Sequence, residues 1–214
     1  MNPIRSYQDF QKFMEYVDYN GKPIPVLFIR PDVLLTLKHC YPFIGELFEY
    51  YNQRTGDDIV FFVPGYSHYP ATSFHEVFPS YPCRNDDEIA FTYQDRPTRQ
   101  THHVYFNHHD FVDFVKIIER ESPGFSYSGG TELILPTYVP GNEIQCGNLD
   151  FSTLPQHRYN LSTLFFHYSD SHRAFSLVRE FLELVIHQLV YNYTTDEFYR
   201  NVDEIYIHLL EHRD

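Results

Sequence analysis

Residues 101–122 read THHVYFNHHDFVDFVKIIERES and contain the clearest change of periodicity in the chain. The first part alternates polar and apolar side chains, which is typical of a β-strand. In the second part, apolar residues recur at the spacing of one helix face, namely Phe111, Phe114, Val115 and Ile118. The stretch therefore predicts a strand that leads directly into a helix. Asp110 stands at the junction, and we predict that its carboxylate caps the helix.

The four histidines of this stretch do not have the spacing of a metal site. His102 and His103 are neighbours in the predicted strand, so their side chains point to opposite faces. A zinc site needs three or four converging ligands, and this segment can supply only part of such a set. We therefore predict that the protein binds no metal and no cofactor here.

Short apolar runs elsewhere predict buried strands between helical segments. They are PVLFIR (25–30), IVFFV (59–63), TELILP (131–136) and NLSTLFFHYS (160–169). Apolar strands that alternate with helices favour a mainly parallel sheet. We expect an α/β fold of the Rossmann-like, three-layer class, in which helices cover both faces of a mainly parallel sheet.

The C-terminal part of the sequence predicts a pair of helices. Residues 171–191 carry an apolar stripe at helical spacing, and Thr194 with Glu197 forms a capping box that begins the last helix. We predict one α/β domain over residues 1–170. The helix pair, residues 171–214, is expected to pack on that same domain.

The charge of the chain bears on its partners. It has 16 basic and 29 acidic side chains, for a formal net charge of −13, and the basic residues form no stripe. Such a charge repels polyanions, so we expect neither a nucleic acid nor a membrane as partner. Cys40, Cys83 and Cys146 have no metal or disulfide spacing, which is typical of reduced thiols in a cytoplasmic protein.

Polar residues follow several of the predicted strands. In open α/β sheets, ligands bind beyond the carboxyl ends of the strands. We therefore expect a ligand-binding rim there, with Arg30 as its anion contact. The further binding residues would be Tyr66, Asn107 and Tyr138, and the proline- and aromatic-rich stretch 64–83 would form a lid.

The sequence contains no serine elbow, phosphate loop or HExxH motif. This favours an accessory or regulatory protein that binds a partner protein, a second copy of itself or a small ligand. The alternative is an enzyme that acts on a nucleotide-like or other small anionic substrate at the rim. Its acid–base and carboxylate residues would come from His68, His108, His109, Glu132 and Asp170.

Overall fold

The computed structural model describes residues 2–14, 23–31, 61–69, 86–94, 99–139, 148–150, 157–166, 171–190 and 194–211. The strands in these ranges are β1 (Asn2–Ile4), β2 (Val26–Phe28), β3 (Phe62–Pro64), β4 (Tyr66–Tyr69), β5 (Glu88–Gln94), β6 (Thr101–Phe106), β7 (Glu132–Ile134), β8 (Thr137–Val139), β9 (Asn148–Asp150) and β10 (Arg158–Asn160). The helices are α1 (Tyr7–Met14), α2 (His108–Glu121), α3 (Ser162–Phe166), α4 (Ser171–Val190) and α5 (Thr195–Glu211).

The strands form one mixed sheet and two smaller antiparallel sheets. The main sheet has the order β1-β3-β2-β7-β10. Strands β1, β3 and β2 run parallel, whereas β7 runs antiparallel to both of its neighbours. The other sheets are β4-β6-β5 and β8-β9. The predicted mainly parallel, Rossmann-like three-layer arrangement is therefore wrong.

Two segments account for this error. The stretch 64–83, predicted to be a lid, contains β4, and β4 pairs with β6 in the separate antiparallel sheet. The run 160–169, predicted to be the last strand, contains helix α3, and the last strand of the main sheet is β10, just before it. A short apolar run fits a buried strand and a buried helix equally well, so periodicity alone does not separate them.

Aromatic rings fill much of the space between the helices and the main sheet. The ring of Phe10 in α1 lies 4.9 Å from that of Phe62 in β3, at nearly a right angle. On β10, the ring of Tyr159 contacts Phe181 of α4 at 5.4 Å and Tyr206 of α5 at 5.3 Å. Such tilted and edge-to-face pairs add to the stabilisation that burial provides. These contacts fix the two C-terminal helices against β10.

The predicted cap of the last helix is confirmed. The Thr194 hydroxyl donates to Glu197 Oε2 at 2.8 Å, and the Glu197 N–H donates back to the Thr194 hydroxyl at 3.3 Å. None of the described helices combines the length and the apolar character needed to span a membrane. The three cysteines, Cys40, Cys83 and Cys146, lie outside the described residues.

Several strand ends meet at one edge of the main sheet. Ile4 pairs with Pro64 at the ends of β1 and β3, and Phe28 at the end of β2 pairs with Glu132. Glu132, the first residue of β7, pairs in turn with Asn160, the last residue of β10. We call this line the strand-end edge. It corresponds to the rim at which the sequence places a ligand.

Candidate functional site

Two clusters of charged side chains lie at the strand-end edge. In the first, Arg5 Nη2 donates to Asp87 Oδ1 at 2.6 Å, and Arg5 Nε donates to Asp110 Oδ2 at 2.9 Å. The Asn107 amide donates to the same Asp87 oxygen at 2.9 Å. The side chains of Arg5 and Asp87 are only 3% and 1% exposed. We call these four residues the arginine–aspartate cluster.

The arginine–aspartate cluster includes the start of helix α2. Asn107 caps this helix, because its Oδ1 accepts the Asp110 N–H at 2.9 Å. The prediction that Asp110 is the cap is therefore wrong. The helix begins earlier, at His108, so Asp110 lies inside the first turn. Its carboxylate binds Arg5 instead, at a helix end where negative charge is favourable.

The second cluster is centred on Glu132. The side chain of Glu132 is 0% exposed, and its Oε1 accepts from Arg158 Nη2 at 2.6 Å and from the Ser128 N–H at 3.0 Å. The Arg158 guanidinium also lies over the ring of Phe125, 5.4 Å from its centroid, a favourable cation–π geometry. We call Ser128, Glu132, Arg158 and the neighbouring Asn160 the glutamate–arginine cluster.

The turn 128–130 borders the glutamate–arginine cluster. Gly129 has a φ of +86°, a backbone conformation that favours glycine. A Cβ atom built on Gly129 would have no atom of the described residues within 4 Å, so space is open on that side of the turn. Arg30 Nη1 donates to the Gly129 carbonyl at 3.3 Å, and Asn160 Nδ2 donates to Ser128 Oγ at 3.5 Å. A second guanidinium is thus attached to the same turn.

One oxygen of the Glu132 carboxylate has no hydrogen-bond partner. Glu132 Oε2 and Thr131 Oγ1 are among the buried side-chain atoms that have no hydrogen-bond partner in the described residues. A buried polar atom without a partner costs about 1–3 kcal/mol, so such atoms are uncommon in folded proteins. Glu132 Oε2 is therefore a buried acceptor to which no group of the described residues donates.

The structure brings several of the predicted site residues close to one another. Arg30 and Glu132 lie at the strand-end edge, and Asn107 lies in the arginine–aspartate cluster. Tyr66 follows β3 at this edge, but it is fully buried and its hydroxyl donates to the Ile29 carbonyl at 2.9 Å. Its contacts are thus those of a core residue.

The other predicted residues do not join the glutamate–arginine cluster in the described part of the chain. Tyr138 lies in β8 and follows the opposite end of β7, because β7 runs antiparallel to β2. His68 lies in β4, but its side chain and that of Tyr138 are outside the described part, as is Asp170 altogether.

His108 and His109 are exposed at the start of α2. The His108 ring lies 6.3 Å from that of Phe106, and His109 Nδ1 lies 3.5 Å from Asp113 Oδ2 in the same helix. In the described contacts, neither imidazole reaches the Glu132 carboxylate. An acid–base pair between these histidines and Glu132 has no support in this arrangement.

Sequence reasoning did not single out Arg158 and Asn160. Both belong to β10, which begins before the predicted strand 160–169, at residues with no strand periodicity. Arg158 binds Glu132 across the sheet, although the two residues are 26 positions apart in the chain. The signal that could have identified it is the presence of a basic residue in a segment that pairs with the predicted strand of Glu132.

A half-buried histidine lies at the other end of β10. The ring of His157 stacks on that of Tyr199 from α5, with centroids 3.5 Å apart and planes inclined by 13°. Its Nδ1 is buried and has no hydrogen-bond partner among the described residues. Burial lowers the pKa of His157, and the nearby Asp203 carboxylate opposes this shift in part. Burial and the hydrogen bond to Asp203 raise the pKa of Tyr159.

The described residues contain no group of three or more His, Cys, Asp or Glu side chains arranged to hold a metal ion. Comparison of the chain with models of known protein families, with curated proteins and with solved structures found no match.

Proposed function

We propose that this protein is a non-catalytic binding protein and that the glutamate–arginine cluster is where it binds a small ligand. The observation that carries this proposal is Glu132 Oε2, a fully buried acceptor to which no described residue donates. A bound ligand that donates a hydrogen bond would remove the cost of this unpaired atom. The protein would then act as an accessory or regulatory chain that responds to the ligand.

The position of Glu132 supports the proposal. Arg158, its partner, is 26% exposed, and the turn residues Ser128 and Gly129 are exposed. The carboxylate therefore lies one side chain below the surface. It also lies at a strand-end edge, a common location for ligands in sheets that contain parallel strands.

A native mass spectrum of the full chain, purified without denaturation, tests this function. We expect an added mass, and we expect Glu132→Gln to lose it. Glu121→Gln is the matched control, because Glu121 also binds an arginine, Arg120, at 3.0 Å, but on the surface. A wild-type chain that carries no added mass and whose melting temperature no small molecule raises would contradict the proposal.

A partner protein is the second candidate, and a feature of α5 favours it. Ile207 is 51% exposed on this helix. The exposed residues Glu204 and Glu211 lie three and four positions from it, on the same face. A partner with a basic surface would match this face, whereas a second copy would bring like charges together.

The test of this second candidate is affinity capture with two variants. Ile207→Arg should abolish capture of a specific partner, because it alters the one large apolar side chain of this acidic face. Ile89→Arg, at a residue 59% exposed on β5, should leave capture unchanged. Equal loss with both variants, or capture insensitive to either, would argue against α5 as the binding surface.

A further inference from the structure

We infer that the ligand of the glutamate–arginine cluster is an uncharged molecule with neighbouring hydroxyl groups, such as a sugar or another polyol; this inference rests on the proposed function. The first step concerns charge. Glu132 and Arg158 lie 2.6 Å apart and together carry no net charge. An anion placed at Oε2 would meet the carboxylate. A cation would meet two guanidiniums, because Arg30 also bonds the neighbouring turn at the Gly129 carbonyl. A neutral ligand meets neither repulsion.

The second step concerns hydrogen bonding. An ionised carboxylate only accepts hydrogen bonds, and Glu132 Oε1 already accepts two, from Arg158 and from the Ser128 N–H. The unpaired Oε2 therefore selects a ligand group that donates. A hydroxyl is an uncharged group that can donate to Oε2 and still accept from a neighbouring amide or hydroxyl of the site.

The third step concerns the side chains around Glu132. Ser128 and Asn160 both contain donors and acceptors, and they are close enough to bond each other at 3.5 Å. Such groups match a ligand whose hydroxyls donate at one atom and accept at the next.

The fourth step concerns access. Glu132 is 0% exposed, whereas the Arg158 guanidinium that binds it is 26% exposed and is held by one carboxylate oxygen and one ring. The turn beside it has open space at Gly129. Arg158 is therefore the more exposed member of the pair, and its bond to Oε1 leaves Oε2 for the ligand. We assign it a positioning role, because it holds the carboxylate with one oxygen unpaired.

Saturation-transfer NMR on the full chain, with four separate probes, tests the inference. The probes are D-ribose and myo-inositol as polyols, inorganic phosphate as an anion and ethanolamine as a cation. We expect saturation transfer to at least one polyol and to neither ion. Titration of the signal gives the Kd, and Glu132→Gln should raise the polyol Kd about tenfold, a loss that corresponds to about 1.4 kcal/mol. The surface control Glu121→Gln should leave it unchanged.

The outcomes separate this inference from the proposed function. Binding of phosphate or ethanolamine alone, lost in Glu132→Gln, would keep the binding function and overturn the polyol class. If no probe binds and the native mass spectrum shows no added mass, both fail, and a buried water is the simplest partner of Oε2. The variant Arg158→Lys distinguishes a positioning role from a purely structural one, because a structural role would leave the polyol affinity of the folded protein unchanged. It should change polyol affinity while the circular dichroism spectrum stays that of the wild type.

Discussion

The two charged clusters at the strand-end edge bury an arginine and carboxylates in different ways. In the arginine–aspartate cluster, Arg5 binds two carboxylates, and Asn107 donates to one of them. In the glutamate–arginine cluster, Arg158 binds one oxygen of Glu132, and the other oxygen has no partner in the described part of the chain. Buried ions are stable in a protein only when they are well bonded. The first cluster therefore has the properties of a structural joint, and the second those of a site.

The largest expected effect comes from removing the arginine of the first cluster. Arg5→Met leaves the carboxylates of Asp87 and Asp110 without their guanidinium, and Asp87 is only 1% exposed. We expect the free energy of unfolding to fall by about 3–5 kcal/mol, the range for breaking a buried ion pair. Urea denaturation followed by circular dichroism measures it.

The matched control for Arg5→Met is Arg120→Met. Arg120 is 72% exposed and binds Glu121 on the surface of α2. Exposed ion pairs contribute about 0–1 kcal/mol, so this variant should unfold close to the wild type. A similar loss in both variants would mean that the effect of Arg5 comes from the aliphatic stem of arginine and not from the buried charges.

The second prediction separates the helix cap from the charged cluster. Asn107 caps α2 and also donates to Asp87, and it is only 2% exposed. Asn107→Ala should cost about 2–3 kcal/mol, from a lost cap and a lost bond to a charged group. Thr194→Ala removes an exposed cap of α5, so it should cost only about 1 kcal/mol. Equal losses in urea denaturation would contradict a joint role for Asn107.

The sequence predicts the first cluster only in part, for physical reasons. The strand and the helix around residues 101–122 follow from local periodicity, and both are observed. The capping box of Thr194 and Glu197 is equally local, and it too is observed. The cap of α2 is less certain from sequence, since Asn107 and Asp110 are both good caps. In the structure, Arg5 binds the Asp110 carboxylate although the two residues are 105 positions apart, and Asn107 caps the helix.

The second cluster depends still more on distant pairings. Glu132 lies near the start of a predicted strand. Its partner Arg158 lies in β10, just before the predicted strand 160–169, where the sequence shows no strand pattern. The direction of β7 follows from its pairing with β2 and β10, which no local signal shows. This direction places Tyr138 at the opposite end of the sheet. The direction of β7 therefore determines which of the predicted site residues lie at the same end of the main sheet.

The third prediction concerns the glutamate–arginine cluster. Arg158→Met removes the guanidinium from Glu132, whose Oε1 then keeps the Ser128 N–H. We expect a loss of about 1–2 kcal/mol in urea denaturation, as for a buried acceptor that loses one partner. The loss should be smaller than for Arg5→Met, because Arg158 is 26% exposed and water can replace it. A loss as large as that of Arg5→Met would make this cluster a structural joint as well.

The smallest effect on stability is expected for His157, a titrating side chain whose buried Nδ1 has no partner among the described residues. His157 stacks on Tyr199, its Nδ1 is buried without a partner, and burial lowers its pKa in the folded protein. The unfolded chain therefore binds this proton more readily than the folded one. The stability that the neutral ring provides is present above the ordinary histidine pKa of about 6.5 and is lost as the pH falls below it.

The variant His157→Phe keeps an aromatic ring beside Tyr199 and removes the proton. Its free energy of unfolding should change less than that of the wild type between about pH 7 and about pH 5.5, by at most about 1.4 kcal/mol for each pH unit, the limit for one proton. The contributions of the other titrating groups cancel when the unfolding free energies of the variant and the wild type are subtracted. Urea denaturation at the two pH values measures this difference. If the difference in unfolding free energy between the two chains does not depend on pH, the ring of His157 accepts its proton equally in the folded and the unfolded state. The unpaired Nδ1 then imposes no free-energy penalty comparable to that of Glu132 Oε2.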